Sequence, residues 1–381
     1  MPTPSNSDLD GVKVCVVAPF PPPLGGMSIQ ASRLVSYLAS EKVEVVAVNG
    51  YPRLPKAVSF FSRIPVLRTL CREVIYICDL ATALPDSEVI HHLAASGVSF
   101  FLQSAPLLLL GSLLRKRVIL NYRGGDAQRF FHRWHRLVVP LLRMADEVAV
   151  PSEYLKRIFA EYGFKASFLP NLADTARFEY RERQSYGPRL IVTRHLEPIY
   201  DIECVIRAFA IVQERFLDAA LAIVGTGRQE QDLKKMVAEG ELRNVTFYGL
   251  VSPEKLPGLY GQYDICVNAS KVDNFPGALV EAACSGLPIV TTAAGGIPDM
   301  IHHRETGILV DVGDSAALAQ AVVDLVERQQ FARQLVHAAR AWSKQYSWDR
   351  VFPRLISLYR PASAEEENSR TQLAYGAGDH E

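Results

Sequence analysis

The sequence carries no net charge, because 41 Lys and Arg balance 41 Asp and Glu. A protein that works by coating nucleic acid carries an excess of positive charge, so no nucleic-acid partner is expected. No C-x-x-C pair occurs among Cys15, Cys71, Cys78, Cys204, Cys266 and Cys284, and several of them sit in apolar runs such as VCVV and DICVN. They read as buried thiols in a reducing compartment, neither disulfides nor zinc ligands. No apolar run reaches the about 20 residues of a membrane-spanning helix. The longest, Val98 to Leu114, has 17 residues and is interrupted by Gln103, Ser104, Pro106 and Ser112, so a buried helix is expected there. The first ten residues are polar and lack a basic segment, which argues against a secretory leader and for a cytoplasmic protein. The G-x-G-x-x-G dinucleotide pattern is missing, and the one D-x-D, Asp8-Leu9-Asp10, lies in a terminus expected to be disordered.

What is present is the composition of a globular enzyme, with 49% hydrophobic and 22% charged residues over 381 positions. That length suggests two domains. Charge is unevenly spread. Residues 1–187 hold 22 basic and 16 acidic side chains, and the remainder holds 19 and 25. Short apolar runs alternate with helical patterns throughout, which is the rhythm of parallel α/β sheets. Lys13–Pro19, Val43–Asn49, Glu88–Ala95, Arg117–Tyr122, Glu147–Pro151 and Ala166–Leu169 read as strands of a first domain. Arg189–Thr193, Ala219–Val224, Val245–Tyr248, Asp264–Asn268, Pro288–Thr292 and Gly307–Val310 read as strands of a second. Residues 51–85 and 253–262 are expected to be helical, the latter capped by Ser252 and started by Pro253. The polar stretch 170–188 reads as a linker. The expected domains are 12–185 and 186–345, with a C-terminal helix at 346–360 able to pack back on the first domain and a disordered tail at 361–381.

Two such sheets facing a cleft would bind ligands beyond the carboxyl ends of their strands. Six loops there carry polar chemistry. Gly25 and Gly26 precede a helix and could let backbone amides approach a phosphate, although a plain tight turn accounts for them equally. Arg123-Gly124-Gly125-Asp126 follows a strand and suits a polar site or a surface ion pair. Arg194 ends the first strand of the second domain, where a guanidinium can fork across phosphate oxygens. Gly225 and Gly227 form another strand-to-helix turn. Asp273 and Glu281 lie eight residues apart, one in a loop and one inside the apolar helical run LVEAAC. A buried carboxylate there needs a partner, either a ligand hydroxyl, a cation or a structural cap. Two more glycines lie in TTAAGGIP. The histidines His91, His92, His132, His135, His195, His302 and His303 are scattered or adjacent and suit structural or surface roles better than metal binding.

The stretch LYGQYDICVNASKVDNFPGALVEAACSGLPIVTTAAGGIPDMIHHRETGILV resembles the nucleotide-sugar domain of a GT-B glycosyltransferase of the retaining family 4, the glycosyl transferases group 1. LAIVGTGRQEQDL, VTFYGLV, PFPPPLGGM and LPNLADTARF extend the resemblance over roughly residues 12–345. The resemblance implies the GT-B fold, two Rossmann-like parallel-sheet domains. It places the family's E-x7-E acids on Asp273 and Glu281, with Glu281 on the ribose hydroxyls and Asp273, shorter than the usual Glu, by the donor sugar. It gives Asn274, Phe275, Pro276 and Gly277 a role in binding sugar and diphosphate, and Arg194 the diphosphate. Gly25 and Gly26 match the phosphate-side loop. Asp126 falls near the acceptor position where relatives often carry His. Tyr200 stands where a basic Lys is usual, so one cation is missing, and Arg123 is a candidate replacement.

The expected activity is therefore retaining, metal-independent glycosyl transfer from a nucleotide-diphospho sugar, without cofactor, to a glycan or lipid-linked acceptor of surface polysaccharide or glycolipid synthesis. Fixed cations and amides can stabilise a leaving diphosphate without metal. A catalytically weak scaffold that binds nucleotide sugar or glycan is the alternative, and a sugar-nucleotide epimerase is a third. From Arg53 to Arg143 there are 13 basic and 5 acidic residues. Arg129, Arg133, Arg136 and Arg143 interleave with Phe130, Phe131 and Trp134. Such a helix could meet an anionic membrane, which adds a peripheral position at the inner membrane face as a hypothesis, or it could be a solvated face over a packed underside.

Overall fold

Apolar central strands buried on both faces, with more exposed strands at the edges and helices that cover them, build two six-stranded sheets. The computed structural model describes residues 11–22, 25–55 and 64–360. The first sheet holds β1 (Lys13–Ala18), β2 (Glu44–Asn49), β3 (Val89–Ala94), β4 (Arg117–Tyr122), β5 (Glu147–Val150) and β6 (Ser167–Phe168), in spatial order β2-β1-β3-β4-β5-β6. The second holds β7 (Arg189–Thr193), β8 (Ala220–Val224), β9 (Val245–Gly249), β10 (Ile265–Asn268), β11 (Ile289–Thr292) and β12 (Ile308–Val310), in order β12-β11-β10-β7-β8-β9. Pairing is parallel from β2 to β5 and throughout the second sheet. Both are Rossmann-like, and the strand order reverses beside β1 and beside β7.

The helices of the first half are α1 (Gly26–Ser40), α2 (Pro65–Ala83), α3 (Ala105–Leu113), α4 (Ala127–Leu142) and α5 (Glu153–Glu161). Those of the second are α6 (Ile202–Arg215), α7 (Glu230–Glu239), α8 (Leu256–Tyr260), α9 (Gly277–Cys284), α10 (Ile297–Met300), α11 (Ser315–Glu327), α12 (Gln329–Ser343) and α13 (Trp348–Tyr359). Local chemistry sets several ends. The Ser152 and Asp314 side chains accept from Leu155 and Ala317 amides and cap α5 and α11. Gly286, at φ +77°, follows the end of α9. Among the described residues the chain forms two compact units, 11–122 with 134–149 and 349–360, and 123–133 with 150–348.

Three expectations change. The helix expected over 253–262 is only α8, which takes Pro257 into its first turn, the position where a missing N–H costs no intrahelical bond. Ser252 caps a turn instead, its carbonyl taking the Lys255 and Leu256 amides. Residues 51–55 form no helix, α2 starts at Pro65, and 56–63 lie outside the described residues, as do 1–10 and 361–381. The apolar stretch from Val98 is a π-helical turn, Phe100–Ser104, followed by α3, and it is buried on one face only. Leu107, Leu108 and Gly111 turn inward, whereas Val98, Leu109 and Leu113 are exposed.

Two polar features lock the units internally. His92 donates from Nδ1 to the Val17 carbonyl at 3.0 Å, and its Nε2 then accepts from the Ser104 hydroxyl at 2.8 Å. Burial pushes this imidazole down to about 4. Its neighbour His91 accepts from the Asn121 amide and meets the Tyr359 hydroxyl of α13 at 2.9 Å, while Arg117 Nε donates to the Leu358 carbonyl. In the second unit the linker residue Arg183 is buried. Its guanidinium donates to the carbonyls of Tyr260, Tyr263, Ser285 and Gly286 and stands 3.7 Å from Asp264.

Candidate active site

In a doubly wound sheet, ligands settle where the strand order reverses, beyond the carboxyl ends. In the second unit that point is between β7 and β10. Arg194 follows β7 and Asn268 ends β10. Arg194 Nε donates to Asn268 Oδ1 at 2.9 Å, and its Nη2 stands 2.9 Å from Asp273 Oδ2. That Nη2 is off the hydrogen-bonding direction and keeps an unspent donor. Asn268 is fixed in turn by Ser270 and Thr291. The Tyr200 ring lies 5.2 Å from the Arg194 guanidinium carbon, so it covers the cation instead of adding one.

The loop carrying Asp273 is held by glycines. Gly295 and Gly296 pack so close that a Cβ on either would collide with the Asp273 or the Asn274 carbonyl, and the Gly296 amide donates to Asp273 O at 2.7 Å. Gly225 and Gly227 do the same for the Arg194 loop, where a Cβ would collide with the Arg194 or the Leu196 carbonyl. The Gly225 amide is already bonded to Gly249 O, so this glycine serves close approach between loops.

Asp273 also accepts the Phe275 amide, so that amide is engaged. Asn274 is buried; its Nδ2 donates to the Gly124 carbonyl at 2.7 Å and its Oδ1 has no partner. Pro276 precedes α9, and Gly277 opens it with no neighbouring atom within 4 Å of where a Cβ would stand. The first amides of a helix have no intrahelical acceptor, so Gly277 and Ala278 start a ready anion site. Glu281 is half-buried on α9. Its charge and that of Arg194 both reach the buried Cys266 thiol of β10, which desolvation pushes up to about 12. Glu281 also adds to the burial that raises the Tyr260 phenol. Arg194, Asp273 and Glu281 are therefore gathered around the end of one strand.

Arg123 joins this cluster through Asn171. Its Nη1 donates to Asn171 Oδ1, Asn171 Nδ2 donates to the Phe275 carbonyl, and Arg123 Nε is enclosed with no partner. Desolvation lowers the guanidinium to about 10. Asp126 is exposed, and its carbonyl starts α4 by accepting from Phe130; among the described residues its carboxylate forms no ion pair or hydrogen bond with the cluster. Gly25 and Gly26 belong to the first unit, where the Gly25 amide is taken by the Ser28 hydroxyl. Asn268 and Asn171 lie within the stretches DICVNAS and LPNLADTARF that carry the resemblance but were not singled out as site residues, although a polar residue closing the apolar run ICVN was a usable signal. The large apolar residues of α4 divide: Phe130 and Phe131 are buried, and Trp134 and Leu137, 38% and 56% exposed, stand among the arginines.

The family model described as glycosyl transferases group 1 matches residues 187–328, and that described as glycosyltransferase family 4 matches 24–177. A GDP-mannose-dependent alpha-(1-6)-phosphatidylinositol monomannoside mannosyltransferase of Mycobacterium tuberculosis is 28% identical over 293 residues, covering 68% of this chain and 75% of that protein. The sulfoquinovosyl transferase SQD2 of Arabidopsis thaliana is 24% identical over 363 residues, 85% of this chain and 68% of that protein. Among solved structures, Anabaena HepE with UDP and glucose superposes with a TM-score of 0.68 at 17% identity, covering 91% of this chain and 98% of that one. A sucrose-phosphate synthase from Thermosynechococcus elongatus gives 0.68 at 18%, over 96% and 100%.

Proposed function

The chain belongs to the family 4 glycosyltransferases of GT-B fold, and we propose that it moves a sugar from a nucleotide-diphospho donor to a glycan or lipid-linked acceptor, with retention and without metal. The observation that carries this reading is the Arg194–Asp273 pair at the reversal point of the second sheet, with the charge of Glu281 on α9 reaching Cys266 of the neighbouring strand β10. In this reading Glu281 takes ribose hydroxyls, Asp273 the donor sugar, and Arg194 with the first amides of α9 the diphosphate. Fixed donors of this kind stabilise charge that develops on a leaving group. The similarity to a mannosyltransferase that acts on a phosphatidylinositol mannoside supports a lipid-linked acceptor. The basic face of α4, with Trp134 and Leu137, supports a peripheral position on an anionic membrane. No helix among the described residues is long and apolar enough to cross one.

A thermal-shift panel of UDP-, GDP- and ADP-sugars tests the donor. A ligand that binds only the folded state raises the melting temperature. One nucleotide class should stabilise the protein and lose that effect in Glu281→Ala. Turnover with excess EDTA and the anomeric configuration of the product test the other two parts; activity lost to the chelator, or an inverted product, contradicts them.

A nucleotide-sugar-binding scaffold is the second reading, and one observation favours it: Asp273 already neutralises Arg194, and Tyr200 covers it. Donor consumption in the presence of acceptor separates it from the enzyme.

A further inference from the structure

Three arginines of the second unit are not exposed: Arg183 is buried, and Arg123 and Arg194 are half-buried. Arg183 stands beside Asp264, and Arg194 beside Asp273. Arg123 meets no carboxylate among the described residues. Its one anchoring hydrogen bond goes to Asn171, a neutral amide, and its Nε has no partner at all. Holding a partly enclosed guanidinium, its Nε shut away without a partner and no counter-ion beside it, is costly, and desolvation lowers it to about 10. A fold tolerates such a group where an anion is to arrive.

The surroundings say which anion. Asn171 links Arg123 to the Phe275 carbonyl, and Asn274 links the next residue, Gly124, to the same loop at 2.7 Å. Two hydrogen-bonded tethers thus hold Arg123 against the segment that leads into α9, whose opening at Gly277 is sterically empty. Arg194, the other cation of the cluster, carries a carboxylate within 2.9 Å and an aromatic ring over its face. The pair Arg194–Asp273 has no net charge to offer.

We propose that Arg123 is the uncompensated cation of the donor site, and that the diphosphate of the nucleotide is its counter-ion. This rests on the nucleotide-sugar reading above. Arg123 is then a binding residue for the phosphate end of the ligand, while Glu281 serves the nucleoside end. The unliganded protein holds a destabilising charge that ligand relieves, so replacing it should move stability and affinity in opposite directions. An arginine kept for structure alone would lose stability and leave affinity unchanged.

Isothermal titration of the wild type with UDP, GDP and ADP identifies the nucleotide that binds. That nucleotide is then titrated into Arg123→Gln, Arg123→Lys and, as an exposed-arginine control, Arg157→Gln. We expect Arg123→Gln to bind at least tenfold more weakly, with a smaller loss of affinity between 50 and 300 mM salt than the wild type, and to melt no lower than the wild type without ligand. Arg123→Lys should keep affinity within a few-fold, and the control should match the wild type. Affinity of Arg123→Gln within twofold of wild type overturns the proposal alone, provided Glu281→Ala still abolishes binding. A wild type that binds none of the three nucleotides overturns the donor-site reading and this proposal together. If Arg123→Gln does not fold, Arg123→Met, matched more closely in shape, takes its place in the same titration, and unchanged binding there overturns the proposal equally.

Discussion

Single residues carry most of the constraint at this site, and glycines carry it as much as the charged groups do. Gly225 lies at φ +136° with the Arg194 carbonyl in the way of any Cβ. Gly225→Ala should therefore cost about 3 kcal/mol of stability and disturb Arg194 with it, read as a lower urea midpoint and weaker nucleotide binding. The acids and Arg194 were legible in the sequence because their spacing matches a known pattern. The reason for Gly225 was not, because the carbonyl it admits belongs to a different loop. His92 gives a second prediction. Its folded value lies near 4, below the ordinary 6.5, so the unfolded chain binds more protons between those limits. Stability from this residue is complete above pH 6.5 and is lost as pH falls toward 4, by about 3 kcal/mol for that shift. Denaturant midpoints measured from pH 7 to 4 should fall less steeply in His92→Asn than in the wild type. Equal slopes would mean that protonation of His92 is not what acid attacks.

At the scale of elements, periodicity located nearly every strand, and it failed where an apolar run has one wet face. The stretch from Val98 reads as buried because its composition is apolar, yet only Phe100, Leu107 and Leu108 of its large side chains reach the core. Alongside it, α2 exposes Val66, Leu70, Val74 and Ile77, which are spaced to share one face. Apolar exposure of that kind together with the arginines of α4 gives the membrane hypothesis more surface than α4 alone. In flotation with vesicles of anionic lipid at low salt, the protein should rise with the lipid. Leu70→Ser with Val74→Ser should reduce the bound fraction several-fold, and neutral vesicles should bind little. No flotation of the wild type would remove the peripheral-membrane part of the proposal. Helix α8 failed differently: Ser252-Pro253 has the chemistry of a helix start, but Pro257 has the stronger claim, and two start signals four residues apart cannot both open one helix.

For the whole molecule, net neutrality conceals two halves of opposite sign, and both six-stranded sheets were readable as an alternation of strand and helix. The division of the chain was readable in part. The expected return of the C-terminal helix to the first domain agrees with 349–360 falling in the first unit, where Tyr359 meets His91, 268 positions away. Residues 123–133, by contrast, fall with the second unit although they follow a strand of the first sheet, and sequence proximity cannot reveal that. Tyr359→Phe should cost about 1–2 kcal/mol by leaving a buried imidazole without its hydroxyl partner, while nucleotide affinity stays unchanged. A ribosome that makes this chain releases the strands of the first sheet early and α13 only after the entire second unit has been synthesised. Until then His91, Arg117 and the hydrophobic face reserved for α13 stay uncovered in the nascent protein. The earliest-made sheet is thus the last to be finished, and during translation it is the part with most need of a chaperone.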